Sequence, residues 1–480
     1  MTSETPLRQF LEIPYDQLEE MNLHAKQQRL DRSDADQVRA ERIAYLEQEK
    51  RIKAVTVCFT DLEGRLHMLD YDKKFLLKNY DNLTFDGSSI RGFSVQHESD
   101  LRLGVDWAAF YWLPSDVFGP GKVLVFGEVA ERDGTPYMAD MRGRLKAYLR
   151  DLYDEKGYTC YAANEIEGFL FKGQDAERTF RETGHFDYVS TGGYYHSLPN
   201  DPLRQFIDAA AEAQRAMGFA NEKDHPEVAP SQFEMNFSYS EALVAADQFQ
   251  LYKLLCRQIA ARMGTTASFL PKPVAGVNGS GAHTNVSIAQ GDKNVFYDAK
   301  GEDGLSPMAW EFVDRVLSSA TDVCLVMNSS VNSYRRLDPH YEAPNQIKVS
   351  AVDRGSMVRI PIGNARSARI EVRTVAPDAN IYMTLYTIFR TGLEGPASDP
   401  KDSEKRTRTR FLPDNIHDAI RHFKSSAWTT ELFGETVAGK FAELKQGSAN
   451  RCPKELGTRV KRSEVVFHHE VTNQFLWSQF

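Results

Sequence analysis

The stretch Asn164–Phe171 reads NEIEGFLF, with two glutamates one residue apart inside an apolar run. On a strand, successive side chains alternate faces, so Glu165 and Glu167 share one face. Two carboxylates side by side and out of water are costly unless something positive sits between them. The fold therefore turns on what the rest of the chain brings to that face.

Four other segments carry similar chemistry. HPEVAPSQFEMNF supplies Glu227 and Glu234, with prolines in or beside the interval that predict a bend bringing the two acids together. NGSGAHTNVSI supplies His283 on a strand leaving a glycine loop. ARSARIEVRTVAPD supplies Arg369, Glu371 and Arg373, which alternate with Ile370 and Val372 and so share one strand face. NSYRRLDPHYEAP carries Arg335, Arg336 and Glu342, and Arg354, Arg359 and Arg366 follow. Five glutamates and one histidine on strand-like segments cannot be buried without cations. Oxygen-rich ligands with one imidazole suit Mg²⁺ or Mn²⁺ better than zinc or copper, and five carboxylates are too many for one ion. Divalent ions beside converging guanidinium groups form a site for phosphate and carboxylate. The loop Asn278–Gly281 lets backbone approach a ligand closely, but no GxxxxGK[ST] pattern occurs there. The residues themselves reach as far as metal-dependent phosphoryl transfer from a nucleotide to a carboxylate or similar acceptor.

Around these segments the chain of 480 residues reads as two or three domains of an α+β protein. Residues 1–53 form a helical extension, with one or two charged surface helices over about 17–53. Residues 54–138 form a small antiparallel β domain of two hairpins, AVTVCFTDLEGRLHMLDY and VLVFGEVAERDGTPYMAD, with the loop FDGSSIRGF between them. Residues 139–480 form the larger domain with a helical tail. Its predicted helices start at Asp140, Asp201-Pro202 and Glu241 and stop at Gly157, Gly218 and Gly264. Strands are predicted at 232–238, 283–288, 357–362 and 368–374. The net charge of −9 and pI near 5.8 argue against nucleic acid or an anionic membrane as main partner. No apolar run nears the roughly 18 residues of a spanning helix, and the start lacks a secretory pattern. The five scattered cysteines suit reduced thiols in a cytoplasmic protein.

The segments FDGSSIRGF, NEIEGFLF, GGYYHSLP, HPEVAPSQFE, KPVAGVNGSGAHTN, NSYRRLDPHYEAP and RIEVRTVAPDAN resemble, in order, the signature segments of glutamine synthetase. They cover about 54–395, and the length resembles the bacterial type I branch. The resemblance implies a β-grasp-like first domain, a catalytic domain on a curved antiparallel sheet, and ring homo-oligomers, as dodecamers, with active sites between subunits. It implies one metal site at Glu167, Glu227 and Glu234 and another at Glu165, His283 and Glu371. Ser287, Arg354, Arg359 and Arg369 would handle ATP and the moving phosphoryl group. Arg336, Arg373, Asn278 and Gly279 would hold glutamate, and Glu342 would close a flap over the intermediate. Asp86, Ser89, Tyr194 and Glu227 would form the ammonium pocket, with Asp86 arriving from a neighbouring subunit as the base.

The implied reaction joins ammonia to the γ-carboxylate of L-glutamate through γ-glutamyl phosphate. Two other readings are a γ-glutamyl ligase for a larger amine (polyamine, ethanolamine or methylamine) and an inactive regulatory homologue. Asn285 stands where bacterial type I members usually carry a second histidine. APDANIYM replaces the usual segment with proline before the tyrosine. Phe411 falls about where some members carry an adenylylated tyrosine, and the N-terminal extension is longer than expected.

Overall fold

The computed structural model describes residues 12–95, 99–398 and 409–456, the last six as backbone alone. Residues 1–11, where the missing secretory pattern was read, and the tail beyond 456 lie outside the described residues, as do 399–408 and the side chain of Cys452. Cys58, Cys160, Cys256 and Cys324 are free and buried. No helix among the described residues is long and apolar enough to cross a membrane.

The first sheet contains β1 (Ala54–Thr60), β2 (Leu66–Asp72), β3 (Thr84–Asp86), β4 (Asp100–Trp112) and β5 (Val123–Ala130), in the order β2-β1-β5-β4-β3. β1 and β2 form the expected hairpin, pairing Ala54 with Asp72 through to Thr60 with Leu66. The second expected hairpin forms only as a turn without a full return strand. After β5 a tight turn brings Pro136 opposite Ala130, with Glu131 N–H donating to the Thr135 carbonyl at 2.8 Å and Tyr137 N–H to the Val129 carbonyl at 3.0 Å, but the return goes no further than that single bridge. β5 pairs instead with β4 antiparallel and with β1 parallel, so this sheet is mixed rather than wholly antiparallel.

The second sheet holds β6 (Tyr158–Lys172), β7 (Asn221–Pro226), β8 (Gln232–Phe237), β9 (Ser240–Glu241), β10 (Thr265–Ser268), β11 (Ala282–Gln290), β12 (Lys293–Asn294), β13 (Gln346–Ser350), β14 (Ser356–Arg359) and β15 (Ile370–Val372). Its main path runs β13-β14-β15-β11-β6-β8-β7, antiparallel except at β13–β14. The predicted helices appear as 141–156, 202–216 and 242–262. Asp140, Asp201 and Glu241 cap them, and Gly157 closes the first at φ +67°. The 242–262 helix is buried along most of its length and packs behind β6 and β10. Its Tyr252 hydroxyl donates to the Ile166 carbonyl at 3.0 Å. Ile166 lies between the two glutamates and points the other way, into the core.

The N-terminal helices, Tyr15–Leu30 and Ala35–Gln48, are not simply solvated. Leu18, Asn22, Ala25, Val38, Arg42 and Leu46 are buried against the body of the protein. Arg29 reaches the fully buried Asp247 at 2.7 Å. Arg142, also fully buried, donates Nε and Nη2 to the same carboxylate at 2.9 and 2.8 Å, and Nη2 to Asp106 at 2.9 Å. Tyr382 Oη donates to Asp247 at 2.7 Å. This group joins the N-terminal helix, β4 and three helices of the larger domain.

A second buried charge ties the β1–β2 turn to the C-terminal helix, Glu435–Leu456. Glu63 is 1% exposed and accepts from Lys445 Nζ and Arg65 Nη2, each at 2.8 Å. Burial alone would raise the Glu63 pKa, but Lys445, Arg65 and Arg91 outweigh it and bring the group to about 2. A carboxyl depressed on folding stabilises above its unfolded pKa and loses that contribution as pH falls through its folded value. Glu63→Gln leaves Lys445 buried without a counter-charge and is expected to cost ~3–5 kcal/mol at neutral pH. In urea unfolding, the gap between the parental chain and this variant should hold above about pH 5 and close as pH falls toward about 2. A gap independent of pH over that window would remove the ion pair as its cause.

Candidate active site

The register of the second sheet places the chemistry in one row. On β11, His283 lies opposite Glu165 of β6. On the far side of β11, Asn285 lies opposite Glu371 of β15, which in turn lies opposite Arg359 of β14. On the other flank of β6, Glu167 lies opposite Glu234 of β8, and Glu234 opposite His225 of β7. The pairs 165/167 and 283/285 are each two residues apart, so every member of the row faces the same way. The row crosses six strands.

Two clusters stand along it. Glu165, His283 and Glu371 offer ligand atoms that all lie within 4.8 Å of one another. His283 Nδ1 is 3.5 Å from Glu165 and 3.7 Å from Glu371. Burial lowers the His283 pKa, which favours the neutral imidazole a metal needs. Burial alone would raise Glu165, but His283 and the Asn285 amide, 3.1 Å away, outweigh it and bring that group to about 2.

The other cluster is His225, Glu227 and Glu234. His225 Nδ1 is 3.6 Å from Glu227, and its Nε2 is 3.9 Å from Glu234. Sequence reasoning missed His225 because it counted only the acids of HPEVAP; the signal was its spacing of two from Glu227. Glu167 stands beside this group, held by the Gly281 N–H at 2.8 Å and Gln232 Nε2 at 3.3 Å. Burial and then Glu227 push the Glu167 pKa up to about 8. Burial, Glu167, Glu165 and Glu227 push Glu234 well above the carboxylate range, and burial also raises Glu227. The protein's own charges do not offset this crowding of carboxyls, and a divalent cation would. Oxygen donors with one imidazole in each cluster fit Mg²⁺ or Mn²⁺.

The arginines gather around the row. Arg359 Nη1 meets Glu371 at 2.7 Å, and Arg373 Nε meets it at 3.3 Å. Arg373 Nη1 donates to the Arg354 carbonyl at 2.9 Å. Arg336 is buried and donates to the carbonyls of Arg373, Thr374 and Val375. The glycine loop closes against it. A Cβ on Gly281 would sit 2.5 Å from Arg336 Nη2, and one on Gly279 would sit 2.4 Å from the Pro271 carbonyl oxygen. Asn278 Nδ2 donates to Glu342 at 3.0 Å. A cavity of about 280 Å³ opens beside the Glu165 cluster, lined in part by Ser287, Arg369, Asn285, Tyr161 and Tyr239. The two tyrosines were not read from sequence as part of the site.

Tyr194 is exposed, stacks on Tyr195 with centroids 3.8 Å apart, and meets His225 edge-on at 5.6 Å. Asp86 and Ser89 lie on the first sheet's edge. Asp86 accepts from the Ser88 N–H, the Ser88 hydroxyl and the Ser89 hydroxyl, all in its own turn. Among the described residues of one chain, its carboxylate makes no hydrogen bond to the acidic row.

Comparison with known proteins agrees with this architecture. The family described as glutamine synthetase, catalytic domain, matches residues 138–460, and glutamine synthetase, beta-Grasp domain, matches 51–132. A glutamine synthetase of Thermotoga maritima is 34% identical over 440 residues, covering 88% of this chain and 98% of its own. One from Staphylococcus aureus is 35% identical over 425 residues, covering 84% and 93%. The solved ADP complex of GmaS superposes with a TM-score of 0.75 at 26% identity, covering 88% of this chain and 99% of its own. The glutamine synthetase of Plasmodium falciparum shares the fold, with a TM-score of 0.76 at 19% identity, over 88% of this chain and 98% of its own. With both domains matched and the acidic row in place, the chain belongs to the glutamine synthetase family of ATP- and divalent-metal-dependent ligases.

Proposed function

We propose that this protein joins ammonium to the γ-carboxylate of L-glutamate with ATP, through γ-glutamyl phosphate, giving glutamine, ADP and phosphate. The observation that carries the reading is the acidic row, with arginines at one end and a cavity beside the Glu165 cluster. Glu165, His283 and Glu371 hold one cation, and Glu167, Glu227 and Glu234, with His225 beside them, hold a second. Cations there supply Lewis-acid stabilisation to the charge on the transferred phosphoryl group.

The chain's own groups do the rest. Ser287 and Arg369 line the cavity and contact ATP. Arg359 and Arg354 offset charge on the moving phosphoryl group. Arg336, Arg373, Asn278 and Gly279 hold glutamate so that a γ-carboxylate oxygen attacks the γ-phosphorus of ATP. ADP leaves, and the carboxylate gains a phosphate leaving group. Glu342, hydrogen-bonded to Asn278, covers the acyl phosphate and excludes water. Asp86, Ser89, Tyr194 and Glu227 collect ammonium, and Asp86 takes its proton before nitrogen attacks the carbonyl carbon.

Asp86 is exposed and spends its carboxylate on its own turn. In this reading it meets the row of a second copy, and the working unit is a homo-oligomer with sites between subunits, stacked rings forming a dodecamer. The reading places the protein in the cytoplasm. A second reading puts a larger amine, such as a polyamine, ethanolamine or methylamine, in place of ammonium; the GmaS structures at 26–27% identity point to variants on this fold.

Glu371→Ala removes one metal-cluster ligand and should lower glutamate-dependent ATP turnover by at least roughly 100-fold in Mg²⁺ or Mn²⁺. Turnover within a few-fold of the parental rate would take Glu371 out of the metal set. Asp86→Ala should slow amide formation by about 10²-fold while glutamate-dependent phosphate release falls less. Equal loss of both would remove Asp86 as the base. An amine panel on the parental chain decides between the two readings: kcat/KM highest for ammonium supports the proposal, and a much higher value for an alkylamine replaces it.

A further inference from the structure

One buried cation near the site has no part in the chemistry above. Lys272, in the turn Phe269-Leu270-Pro271-Lys272-Pro273, is 5% exposed. Its backbone is clamped on both sides by one side chain: its N–H donates to Asn332 Oδ1 at 2.6 Å, and its carbonyl accepts from Asn332 Nδ2 at 2.9 Å. From that fixed base the side chain runs inward. Nζ donates to the Val277 carbonyl and sits 3.8 Å from the centroid of the Tyr341 ring.

Tyr341 ends the short 3₁₀ turn Pro339–Tyr341, and the next residue is Glu342. Glu342 sits in the left-handed region, with φ at +61°, a conformation a non-glycine residue keeps only when neighbours hold it. Two such neighbours come from one segment. Lys272 grips Tyr341, and Asn278, just after Val277, donates to Glu342 at 3.0 Å. The segment 272–278 thus takes hold of two consecutive residues of the turn.

We propose that Lys272 is a positioning residue. Its ammonium holds the Tyr341 ring and so seats Glu342 over the site. The proposal rests on the role given above to Glu342. An ammonium facing an aromatic ring away from water is well placed for cation–π attraction. Burial lowers the Lys272 pKa to about 8, against the pull of Asp338, so the amine stays mostly charged at neutral pH.

The test uses the full chain and two readouts. Hydrogen exchange read by mass spectrometry follows peptides over 338–346 and, as a reference, over β6 and β11. Product analysis follows the ratio of phosphate released to amide formed. Lys272→Met keeps the bulk and removes the charge; Tyr341→Leu removes the ring; Tyr341→Phe keeps the ring face. The first two should exchange roughly five- to thirtyfold faster over 338–346 with β6 and β11 unchanged, and should raise the phosphate-to-amide ratio. Tyr341→Phe should match the parental chain in both. Exchange in Lys272→Met equal to the parental rate, or faster everywhere alike, overturns the latch. Faster local exchange with an unchanged product ratio overturns the positioning role. If the parental chain forms no amide with any amine, the functional reading falls, and the exchange arm still decides the latch.

Discussion

The structure depends on a row of acids that β-sheet register forces onto one face. Period-two alternation leaves no choice once the pairing is set. With Glu167 opposite Glu234 and His283 opposite Glu165, neighbouring carboxyls must crowd together. Burial first, and then that crowding, raises the pKa values of Glu167 and Glu234, which is a free-energy cost of keeping them charged. Under the proposed function the cost has a use, because the same crowding would give affinity for divalent cations. Rigid strands also hold the donors more firmly than loops would.

The rest of the fold keeps that register from slipping. Behind the row, the 242–262 helix presents a buried face to β6, and Tyr252 fixes the Ile166 carbonyl. The helix is anchored in turn through Asp247, which gathers Arg29, Arg142 and Tyr382 in a site without solvent. Replacing one partner there would strand an uncompensated charge. The N-terminal helices therefore belong to the body of the molecule, although the family matches begin only at residue 51.

Much of this was legible in the sequence where local physics decides. Caps at Asp140, Asp201 and Glu241, the stop at Gly157, and the alternation around Glu165 all follow from short-range rules. The fate of residues 123–138 did not follow. They have a hairpin's composition, but β5 finds better partners in β1 and β4. The burial of the N-terminal helices was hidden because they dock through polar groups. Asn22 donates to the carbonyls of Trp112 and Ala216 and accepts from the Trp112 N–H, a contact that no hydrophobic pattern announces. His225 was hidden for a related reason: it becomes part of an acidic cluster only when β7 pairs with β8 and brings it opposite Glu234.

Asn285 shows how one departure from the family pattern fits its surroundings. Its Oδ1 accepts from Arg369 Nε at 2.9 Å, and its Nδ2 donates to Glu165 at 3.1 Å. A guanidinium can only donate and a carboxylate can only accept, so the amide has one orientation that satisfies both. The side chain thereby links an arginine of the cavity to a carboxylate of the Glu165 cluster. An imidazole could make the same bridge in only one of its protonation states, because as a cation it has no acceptor to offer Arg369. An amide does not titrate, so the bridge keeps one polarity through the neutral pH range. The cavity and the cluster thus stay in fixed relation.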